Sequence, residues 1–129
     1  MKKEVILTDS APSPIGPYNQ AIKINSILYL SGQIPLTIKM ELIQNDLKAE
    51  VNQVMKNLEA VLNAAKMNFK NVIKSSIFLD NMENFKVVNE VYGEYFENEI
   101  APARETVAVK TLPKNVRVEI SMIAHEYAN

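Results

Sequence analysis

Hydrophobic and polar residues alternate most clearly between Ile100 and Ala124. In a first run Val107 and Val109 point one way, and Arg104, Thr106 and Ala108 the other. In a second, Val116, Val118, Ile120, Met122 and Ala124 share a face, and Arg117, Glu119 and Ser121 take the reverse. A period of two predicts two strands, each with one buried face. Between them lies Leu112-Pro113-Lys114-Asn115. Proline presets its backbone angle and asparagine tolerates left-handed geometry, so a hairpin is expected. Pairing Thr111 with Val116 sets Ala108 opposite Glu119 and Arg104 opposite Ile123. Arg104 and Glu119 then share a face, roughly 13 Å apart at ordinary strand rise.

The rest of the chain supplies the other elements. Glu4 to Thr8 is a short β-prone run. Asp9 to Gln20 carries three prolines and Gly16, which predicts an ordered loop ending near Tyr18. Ala21–Ile24 and Ile27–Ser31 flank an Asn25-Ser26 turn, and Ser31-Gly32-Gln33-Ile34-Pro35 closes the second strand. Thr37 to Glu41 lacks Gly, Asn and Pro and defines no turn. Asp46 caps a helix whose Val51, Val54, Met55, Leu58, Val61, Leu62 and Ala65 follow core-facing spacing. Val72 to Leu79 is a strand. Asp80 with Glu83 resembles a capping box opening a second helix to about Glu97. Its buried stripe is Phe85, Val88, Tyr92, Tyr95 and Phe96, with Asn89 inside it. Gly93 marks a close contact or a tolerated weak spot in that helix. The order predicts an α+β fold: a mixed six-stranded sheet with two helices on one face. Its bare face, carrying Arg104, Thr106, Glu119 and Ser121, is expected to be a subunit interface.

Composition narrows the function. At 129 residues the chain makes a single domain, residues 1–129, able to bury a core without staples. A net charge of −1 provides no basic field for nucleic acid or anionic membrane. With no cysteine, thiol nucleophiles and disulfides are excluded, and the cytoplasm is the expected compartment. Met1-Lys2-Lys3 is followed by Glu4, Asp9 and Pro12 rather than by the apolar run of a signal peptide.

The candidate chemistry begins with Arg104. It is either a solvated edge arginine or a fork that captures a planar carboxylate in bidentate fashion. Pro102 holds Ala101 extended, so the approach to Arg104 is fixed, while Thr106 adds a hydroxyl on the same face. Glu119 interrupts an otherwise apolar strand. Tyr18 can sit in a wall and still offer its hydroxyl. Gly32 permits close approach to the backbone. Asn89, if inward, must find hydrogen-bond partners.

GPYNQA at 16–21, SGQIP at 31–35, VNEVYGEYF at 88–96, APARETV at 101–107 and LPKNVRVEISMIA at 112–124 resemble the Rid (YjgF) family of reactive-intermediate imine deaminases. The likeness runs over nearly the whole chain, in order and with matching spacing. It implies the trimeric α+β fold shared with one class of chorismate mutase, with ligand clefts between neighbouring subunits. It also implies hydrolysis of 2-imino acids, such as 2-iminopropanoate and 2-iminobutanoate, to 2-keto acids and ammonia, without cofactor or metal. By position, Arg104 would clamp the substrate carboxylate and Glu119 would position or activate the attacking water. Tyr18, Ser31, Gly32 and Asn89 would line or orient the ligand. Thr106 stands where many members carry cysteine, so a backbone contact there is retained and a thiol role is not. Thr37 to Glu41 departs from the family's common Asp-Pro…Gly turn. The alternative is a protein that binds or senses 2-keto acids or small carboxylates without turnover, since Arg104 serves either. A ribonuclease reading is opposed by the near-neutral charge and single histidine, and a chorismate mutase reading rests on fold alone.

Overall fold

Asp46 accepts a hydrogen bond from the Ala49 N–H at 3.2 Å, which satisfies a free donor of the first turn and starts α1 (Leu47–Ala64). The structure is a computed structural model that describes residues 2–129; Met1 lies outside the described residues. Val51, Val54, Met55, Leu58, Val61 and Leu62 form the expected stripe and are fully shielded from solvent. Burying each contributes about 1.5–3 kcal/mol. Two polar residues share this buried surface. Asn57 donates to the carbonyls of Ile34 and Leu36 at 3.2 and 2.8 Å, tying α1 to the segment after the third strand. Glu50 is held by Arg117 in bidentate fashion, with Nε donating to Oε1 at 3.1 Å and Nη2 donating to Oε2.

Seven further elements complete the chain: β1 (Glu4–Ile6), β2 (Ala21–Ile24), β3 (Ile27–Gln33), β4 (Val72–Leu79), α2 (Phe85–Gly93), β5 (Ala103–Ala108) and β6 (Val118–His125). The six strands make one mixed sheet in the order β1-β2-β3-β6-β4-β5. Among the described residues only β4 and β5 run parallel. The α+β expectation therefore holds, with α1 packed on β3, β6 and α2.

The expected hairpin does not form. β6 pairs with β3 and β4, whereas β5 pairs with β4 alone. The β4–α2–β5 crossover brings β5 back parallel to β4. The connecting segment then crosses the end of β4: the Val109 N–H donates to the Leu79 carbonyl at 2.8 Å and the Asp80 N–H to Arg117 at 3.2 Å. Lys114 and Asn115 turn this segment in left-handed geometry, each with φ of 56°. Both runs are strands, as the alternation predicts, but only β6 has the buried face expected of each; β5, an edge strand, has no fully buried residue. Alternation assigns faces and not partners.

The face assignment changes with the pairing. Arg104 and Thr106 lie opposite Ser75 and Ile77, which are shielded beneath the helices. They therefore stand on the helix side of the sheet, whereas Glu119 and Ser121 are on the open side. That open side still carries an apolar surface. Val5, Ile22, Tyr29 and Ile123 run in register across four strands, and Val107, Phe78 and Glu119 across three.

Smaller departures have local causes. Asn81, not Asp80, caps the entry to α2, accepting from the Glu83 N–H at 2.9 Å. One tight turn, Met82–Asn84, precedes the helix. α2 ends at Gly93, whose surroundings are open, so this glycine is a tolerated weak spot rather than a close contact. Tyr95 and Phe96 lie beyond the helix yet pack against the core. Asn89 is exposed, at the outer edge of the buried stripe rather than inside it. Thr37 to Glu41 does form a turn: Met40 adopts φ of 64°, and the Thr37 hydroxyl accepts from the Lys39 and Glu41 N–H groups, each at 3.2 Å. Left-handed methionine is uncommon, so composition carries no sign of it.

Candidate functional site

The proline-rich loop and the end of β3 build one half of the site. Gln20 is buried and acts as the loop's rivet. Its amide oxygen accepts from the Thr8 N–H at 2.7 Å, while its nitrogen donates to Thr8 and Pro12 carbonyls at 3.0 and 2.9 Å. The Gln20 carbonyl accepts from the Ser31 N–H, and the Ser31 hydroxyl donates to the Asn19 carbonyl at 2.5 Å. The phenol of Tyr18 accepts from the Ile15 N–H at 3.1 Å, which closes the loop tip on itself. A cavity of about 480 Å³ opens between loop and sheet, lined by Tyr18, Ser31, Gly32, Ile34, Lys114 and Glu119 among others.

Glu119 is the acid of this cavity. It is half-buried and, among the described residues, has no hydrogen-bonded or charged partner; burial pushes its carboxyl above the ordinary carboxylate range. Gly32 makes the approach possible, since a Cβ there would meet Glu119 Oε2 at 2.9 Å. Tyr18 remains 49% exposed, so this wall is open on one side.

The second half lies on β5 and α2. Arg104 Nη1 donates to Asn89 Oδ1 at 2.8 Å. Its guanidinium carbon lies 5.1 Å from the Tyr92 ring centre and 5.8 Å from that of Phe85. The remaining guanidinium donors stay available at the outer edge of the sheet, a geometry suited to a carboxylate. Thr106 Oγ1, two residues along the same face, is buried and has no hydrogen-bond partner among the described residues.

The seven predicted site residues thus fall into two groups. Tyr18, Ser31, Gly32 and Glu119 share the cavity; Arg104, Asn89 and Thr106 gather at the β5 edge. The groups do not meet within one chain. Arg104 and Glu119 project from opposite faces, and their levels on β4, at Ser75 and Phe78, differ by three residues, roughly 10 Å at strand rise. Asn89 serves as a partner to Arg104 rather than as an inward amide. Sequence reading missed Lys114 and Gln20. Lys114 stands in a turn whose sequence signals only a connection, and Gln20 lies in the proline-rich loop with no periodic signal.

Residues 8–126 match the family described as Endoribonuclease L-PSP. A RutC family protein of Pyrococcus horikoshii is 47% identical over 125 residues, covering 96% of this chain and 98% of that protein. The crystal structure of YyfA from Yersinia pestis, described as a conserved Rid family protein of unknown function, superposes with a TM-score of 0.93. It is 47% identical and the match covers 96% of this chain and 99% of that one. TdcF of E. coli, solved with bound serine, superposes with a TM-score of 0.88 at 35% identity, over 95% of this chain and 98% of TdcF.

Proposed function

The chain belongs to the Endoribonuclease L-PSP family, which takes in the Rid (YjgF) proteins, and we propose that it hydrolyses reactive 2-imino acids to 2-keto acids and ammonia. One observation carries this reading: an edge arginine with free donors and a half-buried, unpartnered carboxylic acid are both present, and neither has a structural ion pair. Arg104 takes the substrate carboxylate. Glu119 takes a proton from water as the oxygen adds to the carbon of the protonated imine. The C=N π electrons move to nitrogen, giving a carbinolamine. Glu119 then returns the proton to nitrogen, the C–N bond breaks with its pair leaving on ammonia, and the carbinol proton follows to give ammonium. A carboxylate with raised proton affinity suits both transfers. The protonated imine carbon is already electrophilic, so orientation and a placed water do most of the work.

The cleft is completed by a second copy of the chain in a cytoplasmic homotrimer. The support is geometric: one chain holds the two halves on opposite sheet faces, and the Tyr18 wall lies open. A neighbour that brings its Arg104, Asn89 and Thr106 against this Tyr18, Ser31, Gly32 and Glu119 makes one closed site. The serine bound in TdcF, a small α-amino acid, has the carboxylate and nitrogen-bearing carbon that a 2-imino acid also has.

The test is a coupled assay in which a pyridoxal-dependent dehydratase generates 2-iminopropanoate and loss of the imine is followed. Added protein should speed its disappearance and the release of pyruvate. Pyruvate binding without acceleration would reassign the cleft to carboxylate sensing.

A further inference from the structure

We infer that Phe85, Tyr92 and Ser75 form a seat that fixes the guanidinium of Arg104 before any ligand arrives. The inference rests on the reading of Arg104 as the carboxylate clamp and names the residues that position it. α2 presents Phe85, Asn89 and Tyr92 at intervals of four and three, which places them along one stripe of the helix. Arg104 lies against all three: Nη1 on Asn89 at 2.8 Å, and its guanidinium carbon within 6 Å of both ring centres. That distance is within the range of cation–π attraction.

The seat is itself anchored. The Tyr92 phenol donates to Ser75 Oγ at 2.9 Å, and the Tyr92 ring lies 4.7 Å from Phe96. Burial raises the proton affinity of that phenol further, in keeping with its part as donor. Ser75 is fully shielded and is the ladder partner of Arg104 itself. The path from β5 through α2 to β4 therefore returns to the residue where it began. Arginine is a long side chain at an edge strand, free to sample many rotamers. Held against two rings and an amide, it keeps one guanidinium plane, and ordering costs on ligand capture fall accordingly.

The test uses the full-length protein. In free protein the Arg104 Nε–H resonance should be displaced by the ring currents and move toward its random-coil position in Phe85→Leu. An unmoved resonance would overturn the seat. In Tyr92→Phe, which keeps the ring and drops the bond to Ser75, the same line should broaden. An unchanged line would remove Ser75 from the device. Calorimetric titration with pyruvate then assigns the consequence. Phe85→Leu should weaken binding about two- to fivefold, the scale of an exposed cation–π contact. In an Arg104→Ala background the same substitution should change nothing further. Equal losses in both backgrounds would mean Phe85 acts on the cleft generally and overturn the proposal. A wild-type protein that binds no pyruvate would fail the carboxylate reading, and the resonance then decides the seat alone.

Discussion

A methyl group on residue 32 would have to displace the Glu119 carboxyl, since the two would stand 2.9 Å apart. The obstacle is the flexible end of a side chain, so Gly32→Ala should cost little stability, within about 1 kcal/mol. Turnover should fall much further, because misplacing a catalytic group by an ångström costs up to about 100-fold. Parallel thermal melts and imine assays separate the two effects. Glu119→Gln probes the same acid by pH. Its raised pKa means that the folded state holds the proton more tightly than the unfolded state. The stability from that proton is complete below the unfolded pKa and is lost as pH rises through the folded value. The glutamine variant should therefore be more stable than the parent at neutral pH, and melts should converge once the solution is acidified below the ordinary carboxylate range. On the proposed role of Glu119 as general base, the same substitution should lower kcat about 10²–10⁴-fold.

Elements were legible where one face is buried against a helix and obscure where pairing joins distant segments. The α1 stripe and its Asp46 cap could be read directly, because both are local: periodicity marks the face and one carboxylate marks the start. The β6 run was recognisable as a strand for the same reason, whereas β5 alternates in sequence without burying either face. Their partners were not, since the intervening β4 lies about thirty residues earlier and alternation carries no record of it. This error put Arg104 on the wrong face. The Glu50–Arg117 pair was equally invisible, as neither residue breaks a pattern. It joins α1 to the entry of β6, and Glu50 is almost wholly shielded. Arg117→Leu would strand that carboxylate and should lower stability by about 3–5 kcal/mol in urea unfolding. Replacing both residues with leucine should recover most of the loss, because no buried charge is then left unpaired.

At the scale of the molecule, the six-stranded sheet and one-sided helices were expected from element order, and five short motifs gathered the site residues. The division of that site was not foreseen, because face and partner together decide it. Val5 and Tyr29 remain 46% exposed on the open side, beside Ile22, Ile123 and Phe78, so a single chain leaves a sizeable apolar surface wet. Such surfaces are characteristically covered by association. Light scattering in dilute neutral buffer should give a mass near three chains, and a stable monomer that turns over imine would reject the shared cleft.

Because Arg104 and Glu119 face opposite ways, neither defect need disable the same cleft when chains are mixed. Subunits carrying Arg104→Ala and subunits carrying Glu119→Gln are each expected to be inactive alone. Denatured together and refolded as mixed trimers, they should complement one another. A cleft that draws its acid from the first kind and its arginine from the second has both groups intact. Random assembly of equal amounts places about a quarter of clefts in that arrangement, and activity should return to about that share of the wild-type value. The lesion would then behave as a property of the pairing and not of the polypeptide.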